Sequence, residues 1–333
     1  MNTLPRRHDL FDPRPTVVRW LASGCLALLP WPALAAGWSL AESAGHPGQV
    51  VEARFDGQPV ARLIYGEGQM KPYLQVFGDD GDSLNQWDPK QQFPHHRGIF
   101  IGWNKLASDL GTFDLWHFNN GGKMELVKLD KLDANATTAT IVAKIVWRAG
   151  KKDADGSDLL LTETRTLILS RPDARRTQID AHFVLQPARD LKLEGDLQHS
   201  GIHFRASAEV GTRAKETSYL WEPDLPGPGG KVASKEMKWC QLLFPIGEHW
   251  YRSLQLNPSS NPVDELSWRD YGRFGFFFKK ALKKGETLPL DYRFIIERAE
   301  PPADKPKPSP EQAAKARAAC QASYEAYTTA LKP

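Results

Sequence analysis

The sequence is short of cysteine, of net charge and of long apolar runs, and each shortage closes off a class of protein. Three cysteines in 333 residues cannot build a disulfide scaffold, and no cysteine pair has zinc-ligand spacing. Lysine and arginine total 43 against 40 acidic residues; without the four arginines and two aspartates of residues 1–36 the balance is 39 to 38, a net charge of +1. So even a balance leaves no electrostatic footprint for nucleic acid. Beyond residue 36 no run approaches the roughly 20 apolar residues that span a bilayer, so no membrane partner is expected after that point. A dinucleotide-binding glycine fingerprint, a phosphate loop and a Gly-x-Ser-x-Gly elbow are missing as well.

Residues 1–36 read differently. Arg19 precedes the apolar run Trp20 to Leu29, and Ala33-Leu34-Ala35 supplies small residues for cleavage before Ala36 or Gly37, the pattern of a secretory signal peptide. Pro30 and Pro32 argue against a spanning helix. The expectation is a periplasmic or secreted protein. In an oxidising compartment Cys240 and Cys320 can pair, or remain two buried thiols.

The remainder is strand after strand. Val51, Ala53 and Phe55 alternate with polar residues before Asp56-Gly57, a hairpin signal. Period two continues through Pro72 to Phe77, Thr138 to Trp147, Leu159 to Leu169, Thr177 to Leu185, Gly201 to Val210, Trp239 to Phe244, Trp250 to Leu256, Phe274 to Phe278 and Leu290 to Ile296. Roughly a dozen strands with hardly a helix between them predict an all-β fold over 37–299, a large antiparallel β-sandwich. A proline- and lysine-rich linker, 300–310, leads to a C-terminal α-helix over 311–331. Ser309 and Gln312 have capping-box spacing, and Cys320, Tyr324, Tyr327 and Leu331 share a stripe that can pack on the sandwich.

Three stretches concentrate chemistry. In Phe93-Pro94-His95-His96-Arg97-Gly98 the proline and glycine make a bend at a strand mouth, where side chains converge on ligands. Gln198-His199-Ser200-Gly201-Ile202-His203-Phe204-Arg205 places His203 and Arg205 on one strand face. Ser267-Trp268-Arg269-Asp270-Tyr271-Gly272-Arg273 mixes flat rings with planar donors, as sugars and carboxylates require. Trp116 and His117 sit beside a further turn. These residues define the expected site: His95, His96, His199 and His203 as acid–base candidates, and Arg97, Arg205, Trp116, His117, Trp268, Arg269, Tyr271 and Arg273 as ligand contacts. His199 and His203 invite a metal, but four residues of strand cover roughly 13 Å. Both reach one ion only if Gly201 bends the chain sharply. No cofactor is expected, and a bound metal stays open.

Lys71-Pro72-Tyr73, Pro94-His95-His96-Arg97-Gly98, Asp114-Leu115-Trp116 and Arg269 to Gly275 resemble motifs of a domain-of-unknown-function family whose members are often labelled methane oxygenase PmoA or PmoA-like. The similarity covers roughly Lys71 to Glu297. It departs where relatives carry histidine and this chain has Phe93 and Asn257. The resemblance implies a secreted, mostly β protein of polysaccharide-degrading bacteria. By analogy with galactose mutarotases, which share the sandwich, the leading expectation is an enzyme acting on a small carbohydrate by epimerisation, elimination or hydrolysis. The alternatives are a non-catalytic carbohydrate-binding protein and a metal-dependent oxygenase.

Overall fold

The computed structural model describes residues 37–331 except 46–47, 67, 89 and 304–306; the segment read as a signal peptide, 1–36, lies outside the described residues. The expected sandwich is present. Two antiparallel sheets face each other across one core. The nine-stranded sheet runs, in spatial order, Trp38–Gly45, Gly48–Phe55, Gln58–Tyr65, Tyr73–Val76, Ile99–Trp103, Ser200–Arg205, Arg273–Phe277, Glu265–Arg269 and Lys231–Ala233. Opposite lie Ser218–Glu222, Trp239–Ile246, His249–Leu256, Leu288–Ala299, Arg176–Pro187, Leu159–Asp173, Thr138–Arg148 and Lys123–Ala134. Strict alternation of buried and half-buried residues along Thr138–Arg148 and Arg176–Pro187 shows why: every second side chain is apolar and faces the other sheet. Ile141, Ile145, Leu167, Ile179 and Phe183 thereby meet Val51, Leu63, Ile101, Ile202 and Phe204 in a single cluster.

The structure departs from the sequence reading in two elements. Lys123–Ala134 is an edge strand, although its pattern does not alternate. Register shifts after Leu126 and Leu129 are β-bulges, and each inserts a residue that breaks the period of two. The strand expected to continue to Val210 stops at Arg205, because Ala206 and Ser207 donate their N–H groups to the carbonyls of Gly272 and Leu84 and a short helix, Ala208–Thr212, follows.

The outer face of the eight-stranded sheet is covered by the C-terminal helix Pro310–Ala330. Ser309 and Gln312 form the full capping box, and Cys320 and Tyr327 pack on Trp239, Leu254, Leu256 and Ile295. Leu331 is exposed instead, since the helix ends before it. Cys240 and Cys320 are buried free thiols, and Cys320 donates to Gln241 Oε1 at 3.1 Å. The outer face of the nine-stranded sheet carries something else: a smaller cluster of Val50, Ile64, Tyr73, Phe100 and Trp116 that floors a group of histidines.

Candidate functional site

Three turns build the site, and local backbone rules explain each. Phe93 at φ +59° and Gly98 at φ +57° bend the chain at both ends of the Pro-His-His-Arg motif. A Cβ on Gly98 would lie 2.3 Å from the Leu74 carbonyl oxygen, so only glycine fits there. His95 is left half-buried at the mouth while His96 and Arg97 are buried. In the second turn Asp114 accepts the N–H groups of Trp116 (3.0 Å) and His117 (2.8 Å) and also His117 Nδ1 (2.8 Å). Phe118, at φ +65°, closes it. In the third, Asp196 accepts from the Gln198 N–H (2.9 Å), His199 Nδ1 (2.8 Å) and Asn104 Nδ2 (2.8 Å). Two non-glycine residues in the left-handed region within one site mark stored backbone strain, a common companion of function.

The turns bring four imidazoles together. Ring centroids lie 4.1 Å apart for His95 and His96, 4.6 Å for His95 and His117, 4.8 Å for His117 and His199, and 6.5 Å for His96 and His199. Trp116 backs them, 5.5 Å from His96 and 4.8 Å from His203, so the two histidine motifs share one wall.

Hydrogen bonds assign the tautomers and divide the histidines by role. Trp116 Nε1–H donates to His96 Nε2 at 3.0 Å, so a neutral His96 carries its proton on Nδ1, which is buried and has no acceptor. His203 is fully buried; its Nε2 donates to the Ser200 carbonyl at 2.9 Å and its Nδ1 accepts from Arg273 at 3.2 Å. With both nitrogens spent, His203 holds Arg273 in place and has nothing to offer a ligand. Burial, then the charge of Arg273, pushes both imidazoles well below their ordinary range. Burial and then the neighbouring Lys71 push His95 down to about 3. His117 and His199 are different. Each gives Nδ1 to its aspartate and leaves Nε2 at the half-exposed mouth. Burial would raise Asp114 and Asp196, but hydrogen bonds from the imidazoles and backbone hold both below the usual carboxylate range. Burial lowers His199, opposed by Asp196.

Cations line the floor. Lys71 is 3% exposed; its Nζ reaches the Trp116 carbonyl at 3.3 Å and lies 3.9 Å over Phe100, with Trp116 and Phe118 at 5.2 and 5.3 Å. Burial, reinforced by Arg97, pushes its pKa well below the usual lysine value. Arg97 donates to the Pro94 carbonyl and Gln69 Oε1, both at 2.7 Å. Arg205 lies 4.7 Å over Tyr271 and donates to its carbonyl, and burial brings it down to about 10. Arg273 donates to the Gln198 carbonyl, Ser267 Oγ and Tyr271 Oη.

Of the expected residues, His95, His96, His117, His199, His203, Arg97, Arg205, Trp116, Tyr271 and Arg273 form one connected site. Two expectations are corrected, Trp268 by its register and Arg269 by where its guanidinium goes. Trp268 pairs with Phe274, which points it between the sheets, against Tyr219 and Trp221 at 5.2 and 5.9 Å. Arg269 turns to the carbonyls of Trp268, Gly229 and Gly230. Trp116 is present but fully buried, so it is a wall and not a platform. Half-buried Phe93, 5.2 Å from Tyr271, supplies the apolar face. Lys71 and Asp114 are not among the expected residues, and Asp196 enters with Glu194 only as a carboxylate base, yet a signal exists: Asp114-Leu115-Trp116-His117 and Asp196-Leu197-Gln198-His199 repeat one Asp-Leu-x-His spacing.

Asn257, the other departure from the relatives, is buried against the Met237 carbonyl and Asn261. Among the described residues, one trio brings three ligand atoms within 4.8 Å of one another, Asp80, Asp82 and His249, and it lies outside the histidine cluster. A cavity of about 390 Å³ on the small sheet formed by Lys105–Ser108, Gly111–Phe113, Leu191–Glu194 and Lys280–Leu282 also contains none of the histidines.

The chain belongs to DUF6807, a family of unknown function whose model matches residues 50–307. No curated protein matches it. Among solved structures it is similar to a galactose mutarotase related enzyme from Lactobacillus acidophilus, at 6% identity and a TM-score of 0.37, covering 79% of this chain and 98% of that one. Heparan sulfate lyase HepC from Pedobacter heparinus aligns at 11% identity and a TM-score of 0.30 over 79% of this chain, which spans 36% of the lyase. Likenesses this loose carry no functional argument.

Proposed function

We propose that the protein is a secreted or periplasmic enzyme that acts on a small carbohydrate by proton transfer, with His117 and His199 as its acid–base pair. The observation that supports this most is the pair of Asp-Leu-x-His turns, whose imidazoles face each other 4.8 Å apart. Each aspartate fixes the Nδ1–H tautomer and favours the transient imidazolium, so one free Nε2 takes a proton while the other, protonated, gives one. Epimerisation, elimination and hydrolysis all need that pair. Phe93 and Tyr271 offer flat faces to the C–H side of a sugar, and Gln198, Asn104 and the arginines border its hydroxyls. The oxygenase label of some relatives asks for a metal. Among the described residues the histidines of the site do not bring three ligand atoms within 4.8 Å of one another, and buried cations surround them. Among the described residues no helix is long and apolar enough to cross a membrane.

The test is product analysis by NMR after incubation with a panel of oligosaccharides of neutral and acidic sugars. A changed linkage, configuration or double bond in one of them is expected. Binding without turnover on every member would replace the enzyme by a carbohydrate-binding protein. N-terminal sequencing of the protein exported by its host tests secretion, with cleavage expected before Ala36 or Gly37.

A further inference from the structure

Resting on the carbohydrate reading, we propose that the ligand is an acidic sugar whose carboxylate or sulfate supplies the missing counter-charge of Lys71, Arg97, Arg205 and Arg273. All four side chains are at most 7% exposed. Among the described residues every hydrogen-bond partner they have is neutral: the carbonyls of Trp116, Pro94, Tyr271 and Gln198, the amide of Gln69, the Ser267 and Tyr271 hydroxyls, and His203. The carboxylates nearest to hand, Asp114 and Asp196, hydrogen-bond His117 and His199, and the attraction of Asp114 for Lys71 is outweighed by burial and Arg97. Buried charge without an opposite charge is costly, and folds keep it where something else compensates. Elsewhere this chain obeys the rule: its buried Arg165 meets Glu163 at 2.6 Å.

Unused donors point the same way. His96 Nδ1 and Arg205 Nε are buried without an acceptor, and Lys71 Nζ has one oxygen at 3.3 Å for its protons. A buried wall with spare donors, beside the two Nε2 atoms left to acid–base work, fits a ligand rich in anionic oxygens. Tyr271 links the two flanks, since Arg205 and Arg273 both donate to it while its ring faces Phe93. One sugar on Phe93 and Tyr271 therefore lies within the field of all four cations. The same charges oppose a divalent metal among the histidines.

Calorimetry on the intact protein decides the matter, using matched oligosaccharides that differ at one carbon: hydroxymethyl, carboxylate or sulfated hydroxymethyl. At least one charged form is expected to bind tenfold or more tighter than its neutral counterpart, and which one separates uronate from sulfate ester. Equal or tighter binding of the neutral form overturns the proposal. Lys71→Met, whose apolar chain suits the space between Phe100, Trp116 and Phe118, should weaken the charged ligand at least tenfold more than the neutral one. Equal losses for both would count against it, and the wild-type comparison stands even if the variant does not fold. An acidic preference without turnover keeps this inference and removes the enzyme. Turnover of neutral sugars with no acidic preference does the reverse.

Discussion

In the core, Glu163 and Arg165 meet at 2.6 Å with exposures of 0 and 3%, and Trp147 donates to the same carboxylate at 2.8 Å. Arg165 also donates to the Pro72 carbonyl at 3.0 Å, one residue from Lys71, which is just as buried and, among the described residues, hydrogen-bonds no carboxylate. The two regions share a segment and follow opposite rules. The first closes its electrostatics within the protein and is architecture. The second leaves them open within the protein, which is the opening the proposed acidic ligand would close.

The largest effect that would sharpen this contrast is in stability. Glu163→Leu strands Arg165 in the core and should cost about 3–5 kcal/mol, read as a lower urea midpoint. Lys71→Met removes a charge that, among the described residues, is hydrogen-bonded to a carbonyl and no carboxylate, and should leave the midpoint unchanged or raise it. Equal losses for the two variants would erase the distinction between the regions.

Acid provides the next test. His96 and His203 are held neutral, with pKa values well below the ordinary 6.5 because burial and then Arg273 oppose their charging. The unfolded chain takes up protons near pH 6.5 that the folded chain refuses. Their contribution is therefore complete above that pH and is lost as pH falls below it. Each imidazole should remove about 1.4 kcal/mol of stability per pH unit in that window. His182 works the other way, because its hydrogen bond to Asp291 outweighs burial and raises its pKa. Urea titrations at pH 7, 6 and 5 read the net slope, and His203→Gln should flatten it.

The smallest effect concerns the opposite face of the molecule. Burial pushes Cys240 up, and Cys320 up to about 12, so neither should react with a thiol reagent in the native protein. On unfolding without reductant both should titrate, whereas silence would mean a disulfide.

The sandwich was legible because core strands alternate with period two, and the helix because Ser309, Pro310 and Gln312 spell its start. The bulged edge strand Lys123–Ala134 was not, since its two bulges shift the apolar residues out of phase. The histidine bend and the Gln198–Arg205 stretch led to the candidate site, the first through the turn made by Pro94 and Gly98 and the second through a strand in which Gly201 allows close approach of the Phe276 carbonyl. Which histidine does what was hidden. His199 and His203 look equivalent in sequence, yet Ser200 and Arg273 consume both nitrogens of His203 while Asp196 leaves one of His199 free. Trp268 misled because register pairs it with Phe274 and turns it to the core, and Arg269 because, although it pairs with Arg273, its guanidinium is taken by the carbonyls of Trp268, Gly229 and Gly230.

The acid–base account is tested most directly by measuring turnover and affinity together in His199→Asn, with whichever sugar the wild type converts. Loss of one partner of the pair should lower kcat by about 10²–10⁴-fold, with Kd within a few-fold of the wild type. A variant that retains full kcat would contradict the account, because no proton would then pass through His199.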